Sequence, residues 1–328
     1  MGRVRRMRIL VVAGALLVAP LTVKAQQGIQ VVHTVGVLLP PPIRLYPQYS
    51  SFVTGLRSLG YEEGRNLRIV LRSADGKLDR LPALAKDLVA ARVDVIVANN
   101  TPGARAAIRA TQQIPIVMVA VGDPVGSGFV SNLARPGGNV TGISNIIAEL
   151  GPKRLGILKE IVPSARRIAA MFNPDDPVTQ FQIRDIKRAM PAINAEVAFF
   201  PIRATGDVPG AFKQMQAWHT DAALWLLGQQ MAFQEESAKL AAKLRLPLMV
   251  ANKFDVEAGG LISYLSDSND AQRRAAAYVD RILRGAKPAD LAVEQPTKYE
   301  LIINLRTAKA IGLTFPQSIL LRADKVIE

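Results

Sequence analysis

Residues 93–121 read VDVIVANNTPGARAAIRATQQIPIVMVAV. Two apolar, β-branched runs, 93–98 and 116–121, flank a segment that Thr101-Pro102 opens as a helix running to about Gln112. Strands that read as near-continuous apolar runs are buried on both faces. A helix between two of them makes a parallel crossover unit. That unit decides the fold class, because the pattern extends on both sides. Upstream, VGVLL at 35–39 is a strand stopped by Pro40-Pro41-Pro42. Phe52, Leu56 and Leu59 then recur at helical spacing before Gly60, a strand covers 67–71, and Leu81, Leu84, Leu88 and Val89 mark a second helix.

Downstream the rhythm starts again. Strands are expected at 168–172, 197–202, 222–227, 248–251 and 261–264. Helices are expected at 155–161, from Asp176-Pro177 to about Met190, at 212–218 and at 232–244. A helix at 271–283, a short strand at 301–303 and a helix at 305–311 belong to neither run. The expectation is an α/β fold of two doubly wound parallel-sheet lobes joined by crossover hinges, with the end of the chain crossing back between them.

The chain has 328 residues, no Cys and two His. Disulfides, thiolate metal sites and a three-His zinc site are excluded. The net charge is +14, of which Arg3, Arg5, Arg6, Arg8 and Lys24 supply five within the first 25 residues. The remaining charge is dispersed and aromatics are only 5%, so no nucleic-acid partner is expected. Residues 1–25 combine a basic start, a 15-residue apolar run from Ile9 to Val23 and Val23-Lys24-Ala25. This is the layout of a secretory signal peptide, too short in its apolar part for a membrane span. Cleavage after Ala25 and a periplasmic location are expected.

Open parallel sheets bind ligands beyond the carboxyl ends of their strands. That rule selects Pro41, Asn99, Asn100, Thr101, Gly122 and Asp123 in the first lobe, and Asn173, Gln229 and Asn252 in the second. Thr101 either caps its helix or offers that helix start to an anion. Asp123 either accepts from a ligand ammonium or caps its own loop. Phe254 and Tyr264 either stack on a ligand or pack in the core. There is no G-x-G-x-x-G, no phosphate-binding loop and no G-x-S-x-G. An enzyme is not expected, nor any cofactor or metal.

Residues 121–142, VGDPVGSGFVSNLARPGGNVTG, and 293–313, VEQPTKYELIINLRTAKAIGL, carry a resemblance, as do the closing ILLRADKVIE and Gly259-Gly260-Leu261 before Tyr264. Together they resemble the bacterial ABC-transporter substrate-binding family related to tryptophan- and tyrosine-binding proteins. The resemblance implies a type I periplasmic-binding fold with three crossovers. It also implies a ligand shell at Asn99 to Thr101, Gly122-Asp123, Asn173 and Gln229. Lobe boundaries follow at 26–143 with 268–296, and at 144–267 with 297–328. The expected partners are a small-molecule solute and an ABC permease in the inner membrane, the receptor itself being a monomer. Two other roles are an exported ligand sensor for a signalling receptor and an exported α/β enzyme.

Overall fold

The computed structural model describes residues 31–145, 147–176, 178–228 and 231–328. The expected signal peptide and Gln229 therefore lie outside the described residues. In the first lobe the chain runs β1 (His33–Leu39), α1 (Tyr49–Ser58), β2 (Leu67–Ser73), α2 (Leu81–Ala90), β3 (Val95–Asn99), α3 (Asn100–Ala110), β4 (Ile116–Val121) and β5 (Val140–Ser144). These strands form one parallel sheet in the order β2-β1-β3-β4-β5.

Side chains alternate across a strand, so each apolar run feeds two cores. Val35, Val37, Val95, Val97, Val117 and Val119 point to one face. Leu38, Ile96, Ala98, Ile116 and Met118 point to the other, where α2 and α3 supply Leu81, Leu88, Ala104 and Ala107. The first face is covered by α1 and by α9 (Ser268–Leu283), which comes from the far end of the chain. The two helices approach closely, because a Cβ on Gly55 would stand 2.8 Å from that of Ala276.

The second lobe holds α4 (Ile147–Ile161), β6 (Arg167–Phe172), α5 (Val178–Ile193), β7 (Glu196–Pro201), α6 (Val208–Ala217), β8 (Ala222–Trp225), α7 (Met231–Lys243), β9 (Leu248–Val250), α8 (Lys253–Glu257) and β10 (Ile262–Ser266). After α9 the chain returns as β11 (Tyr299–Asn304), α10 (Leu305–Ile311), α11 (Gln317–Arg322) and β12 (Lys325–Ile327). The sheet order is β12-β11-β10-β9-β8-β6-β7. The chain thus passes between the sheets three times, after β5, after β10 and before β11.

The sequence pattern differs from the structure in instructive places. β11 runs antiparallel to β10, because the chain re-enters from the other lobe without a covering crossover helix. The helix after β3 begins at Asn100, so Thr101 is not its cap. Asn99 holds that position and makes no side-chain cap bond. No strand was expected at β5. There Gly142 has φ +132°, and a Cβ would fall 2.0 Å from the Met118 carbonyl oxygen, so only glycine lets β5 pair with β4. Among the described residues, no helix is long and apolar enough to cross a membrane.

Candidate functional site

Between the lobes lies a cleft of about 950 Å³, counting its open mouth. Its first-lobe wall is built from strand-end loops and from the start of α9. The loop after β1 brings in Tyr46 and Gln48, α3 contributes its first residue, Asn100, and β4 contributes Ala120. Both Asn100 and Ala120 have positive φ, 58° and 59°. At Ala120 the pairing of β4 with β5 also slips by one residue. Bulges and left-handed non-glycine residues re-aim the backbone, and they concentrate at binding sites.

Behind this wall sits a buried polar cluster. Asn99 Oδ1 accepts from the Tyr46 hydroxyl at 3.0 Å and from Gln272 Nε2 at 2.8 Å. Gln272 Nε2 also donates to the Tyr46 oxygen at 3.0 Å. Burial raises the Tyr46 phenol to about 12, against opposing hydrogen bonds from Gln48 and Gln272. Tyr46 therefore stays a neutral donor. Gln48, 8% exposed, keeps its side-chain oxygen without a hydrogen-bond partner among the described residues.

The second-lobe wall comes from the ends of β8 and β9. Leu227 and Gly228 follow one strand; Ala251, Asn252 and Phe254 follow the other. Asn252 Oδ1 accepts from the Phe254 and Asp255 backbone N–H groups at 2.9 and 3.2 Å, and its amide nitrogen donates to Asp255 Oδ2 at 2.6 Å. Burial pushes the Asp255 carboxyl up to about 7, offset in part by a hydrogen bond from the Asn252 backbone. Under the two strand ends lies Arg154, fully buried, which donates to the Trp225 and Val250 carbonyl oxygens. Desolvation lowers its guanidinium to about 9. The hinge side is closed by Asn145, whose Oδ1 accepts from Ser266 Oγ at 3.3 Å, and by Glu300 and Ile302 of β11.

Of the residues selected from sequence, Asn100 and Asn252 line the cleft. Asn99 stands one layer behind it and orients its neighbours. The others are turned to local tasks. Pro41 is buried and its carbonyl accepts from Ser73 Oγ. Thr101 Oγ1 accepts from the Gly122 N–H at 3.2 Å, so these two residues stitch α3 to the loop after β4. Asp123 Oδ1 accepts from the Gly126 N–H at 2.7 Å and caps its own loop. Asn173 Oδ1 accepts from the Asp175 N–H in a local turn. Phe254 lines the cleft, whereas Tyr264 stacks on Tyr299 with ring centroids 5.7 Å apart. Tyr46, Gln48, Asn145, Gln272 and Glu300 are among the polar lining residues that the sequence did not single out.

Comparison with known proteins agrees with this architecture. A family model described as "ABC transporter substrate binding protein" matches residues 41–327. A tyrosine-binding protein of Clostridioides difficile (strain R20291) is 28% identical over 80% of this chain and 75% of its own length. A conserved domain protein of Vibrio cholerae has a TM-score of 0.83 at 29% identity, covering 90% of this chain and 99% of that one. A Streptococcus pneumonia ABC domain in complex with L-Trp has a TM-score of 0.81 at 26% identity, covering 89% and 100%.

Proposed function

The chain belongs to the ABC transporter substrate-binding protein family, and from that premise we propose that it is the solute receptor of an importer. In this reading it is exported, cleaved after Ala25 and retained in the periplasm as a monomer. It captures an amino acid or a related small polar metabolite between its lobes and hands it to an inner-membrane permease. Lobe boundaries at 26–143 with 268–296, and at 144–267 with 297–328, are supported by the packing of α9 on the first sheet and the return of β11 to the second.

The observation that carries this reading is the cleft itself. It is lined from both lobes, with apolar walls such as Val119, Leu227 and Ile302 and a small set of amides. That composition suits a small ligand held by shape and a few directional bonds. A ligand touching both lobes favours the closed arrangement by its differential affinity for it. The relatives' names make L-tyrosine and L-tryptophan the first probes.

A thermal-shift screen of amino acids, aromatic acids and purines tests the proposal. A ligand at 100 times its Kd stabilises by about 2.7 kcal/mol, which amounts to roughly 5 °C or more for a chain of this size. Absence of any shift across the screen at millimolar ligand would sink the reading. Mass spectrometry of the exported protein checks the Ala25 cleavage. A product still beginning at Met1 overturns it.

A further inference from the structure

The polarity of the first-lobe wall can be read from one fixed point. The Leu38 carbonyl oxygen can only accept, and Asn99 Nδ2 lies 3.5 Å from it. Asn99 Oδ1 is thereby turned to accept, and it takes the Tyr46 hydroxyl and Gln272 Nε2. The phenol proton is spent on Asn99, so the Tyr46 oxygen is left to accept, and Gln272 Nε2 donates to it. Both N–H groups of Gln272 are now used, and its side-chain oxygen remains, with no described residue donating to it. The Gln48 side-chain oxygen is likewise buried and takes no hydrogen bond from any described residue. Gln48 and Gln272, 8% and 2% exposed, both line the cleft.

We propose that the Gln48 and Gln272 side-chain oxygens form a subsite for a ligand group with at least two N–H donors, held in this polarity by Tyr46 and Asn99 as positioning residues. The inference rests on the amino-acid reading above, in which that group is the α-ammonium. Neutral carbonyl oxygens can take an ammonium, because a hydrogen bond with one charged partner is stronger than a neutral one. Asp123, the acid that the strand-end rule favoured for this task, is engaged with Gly126 instead. Glu300 is the acid in the cleft lining, and it comes from β11 of the other lobe.

The test is titration calorimetry with two matched pairs. L-tryptophan is set against 3-(indol-3-yl)propionate, and L-tyrosine against 3-(4-hydroxyphenyl)propionate; the second member of each pair lacks only the ammonium. Proteins compared are wild type, Gln48→Met, Gln272→Met and Glu300→Gln, each checked for folding by thermal melt. Because Gln272→Met also removes donors from Asn99 and Tyr46, Gln48→Met is the variant that keeps the test sharp if the other fails to fold. Wild type is expected to prefer the ammonium-bearing member about 100-fold or more, at roughly tenfold or more for each of two charged hydrogen bonds. Each Gln substitution is expected to remove about tenfold or more of that preference, with little change for the deamino member. A preference retained in the folded Gln48→Met protein overturns the subsite, as does one erased by Glu300→Gln alone. Equal binding of both members overturns it too, while leaving the receptor reading standing. Failure of all four compounds to bind overturns the amino-acid reading and this inference with it.

Discussion

Arg154 donates through Nη1 to the carbonyl oxygen of Trp225 at 2.6 Å, from a position with no solvent exposure. Its Nη2 reaches the Val250 carbonyl oxygen at 2.7 Å. One guanidinium therefore ties the carboxyl ends of β8 and β9 together. The residues just beyond those ends, Leu227, Gly228, Ala251 and Asn252, form the second-lobe wall of the cleft. The fork of an arginine suits this task, because it places two donors at a fixed separation. Among the described residues no acid pairs with it, and the two groups it donates to are peptide carbonyls.

Arg154→Met is expected to destabilise the protein by about 2–5 kcal/mol, because it orphans two buried carbonyl oxygens at roughly 1–3 kcal/mol each, less the relief of removing a buried charge. Arg154→Lys keeps a charge but not the fork, and should recover part of the loss. Denaturant unfolding of the three proteins is the measurement. A variant Met protein as stable as wild type would show that the brace is dispensable.

Asp255 makes stability depend on pH. Its carboxyl titrates near 7 in the folded chain, against 3.8 as its ordinary value. Between those values the folded state binds more protons than the unfolded state, so this group's contribution is full below pH 3.8 and is lost as pH rises through about 7. The slope is at most about 1.4 kcal/mol per pH unit. Asp255→Asn removes the titration and should flatten the stability curve between pH 4 and 7 relative to wild type. Parallel curves for the two proteins would contradict the assignment.

How far the sequence could be read follows from what each residue packs against. β3 and β4 are legible because strands covered on both faces must be apolar throughout. β5 is not, because its buried Thr141 and Ser144 are satisfied by carbonyl groups of Leu291 and Val121 rather than by apolar packing. Asn100 and Asn252 were legible because strand-end loops face the cleft. The same rule found the loop after β1 but fell on Pro41 at its start. Tyr46 and Gln48, which enter the cleft, sit where that loop turns into α1. Gln272 carried a fainter signal, a long amide beside the small buried residues Ala271, Ala275 and Ala276. The resemblance to the substrate-binding family is borne out at the level of the family, whose model matches residues 41–327 across both lobes.

Two backbone positions where β4 meets β5 give opposite expectations. Gly142→Ala would drive a methyl into the Met118 carbonyl at 2.0 Å, so β4 and β5 must separate. A loss of several kcal/mol is expected, on the order of 3 or more, in line with severe backbone strain and overpacking. Ala120→Gly instead relieves a left-handed alanine at φ 59°. It should be neutral or stabilising by up to about 1 kcal/mol, since the released strain exceeds the added chain entropy. Thermal melts of both variants check the pair. A destabilised Ala120→Gly protein would mean that the methyl group's packing outweighs its strain.

Asp123 separates two readings that the sequence left open. As a ligand acceptor its loss would weaken binding by about 10-fold or more, the worth of a charged hydrogen bond. In the structure its Oδ1 is already occupied by the Gly126 N–H at 2.7 Å, and its backbone carbonyl accepts from the Ser127 N–H. Asp123→Ala is therefore expected to lower stability by about 1 kcal/mol, as loss of a capping side chain does. Asp123→Asn, which keeps the accepting oxygen, should restore most of it. The Kd for a ligand found by thermal shift should stay within about twofold in both variants, as for substitutions outside a binding surface. A tenfold weaker Kd in a fully folded Asp123→Asn protein would instead return the carboxylate to the ligand shell.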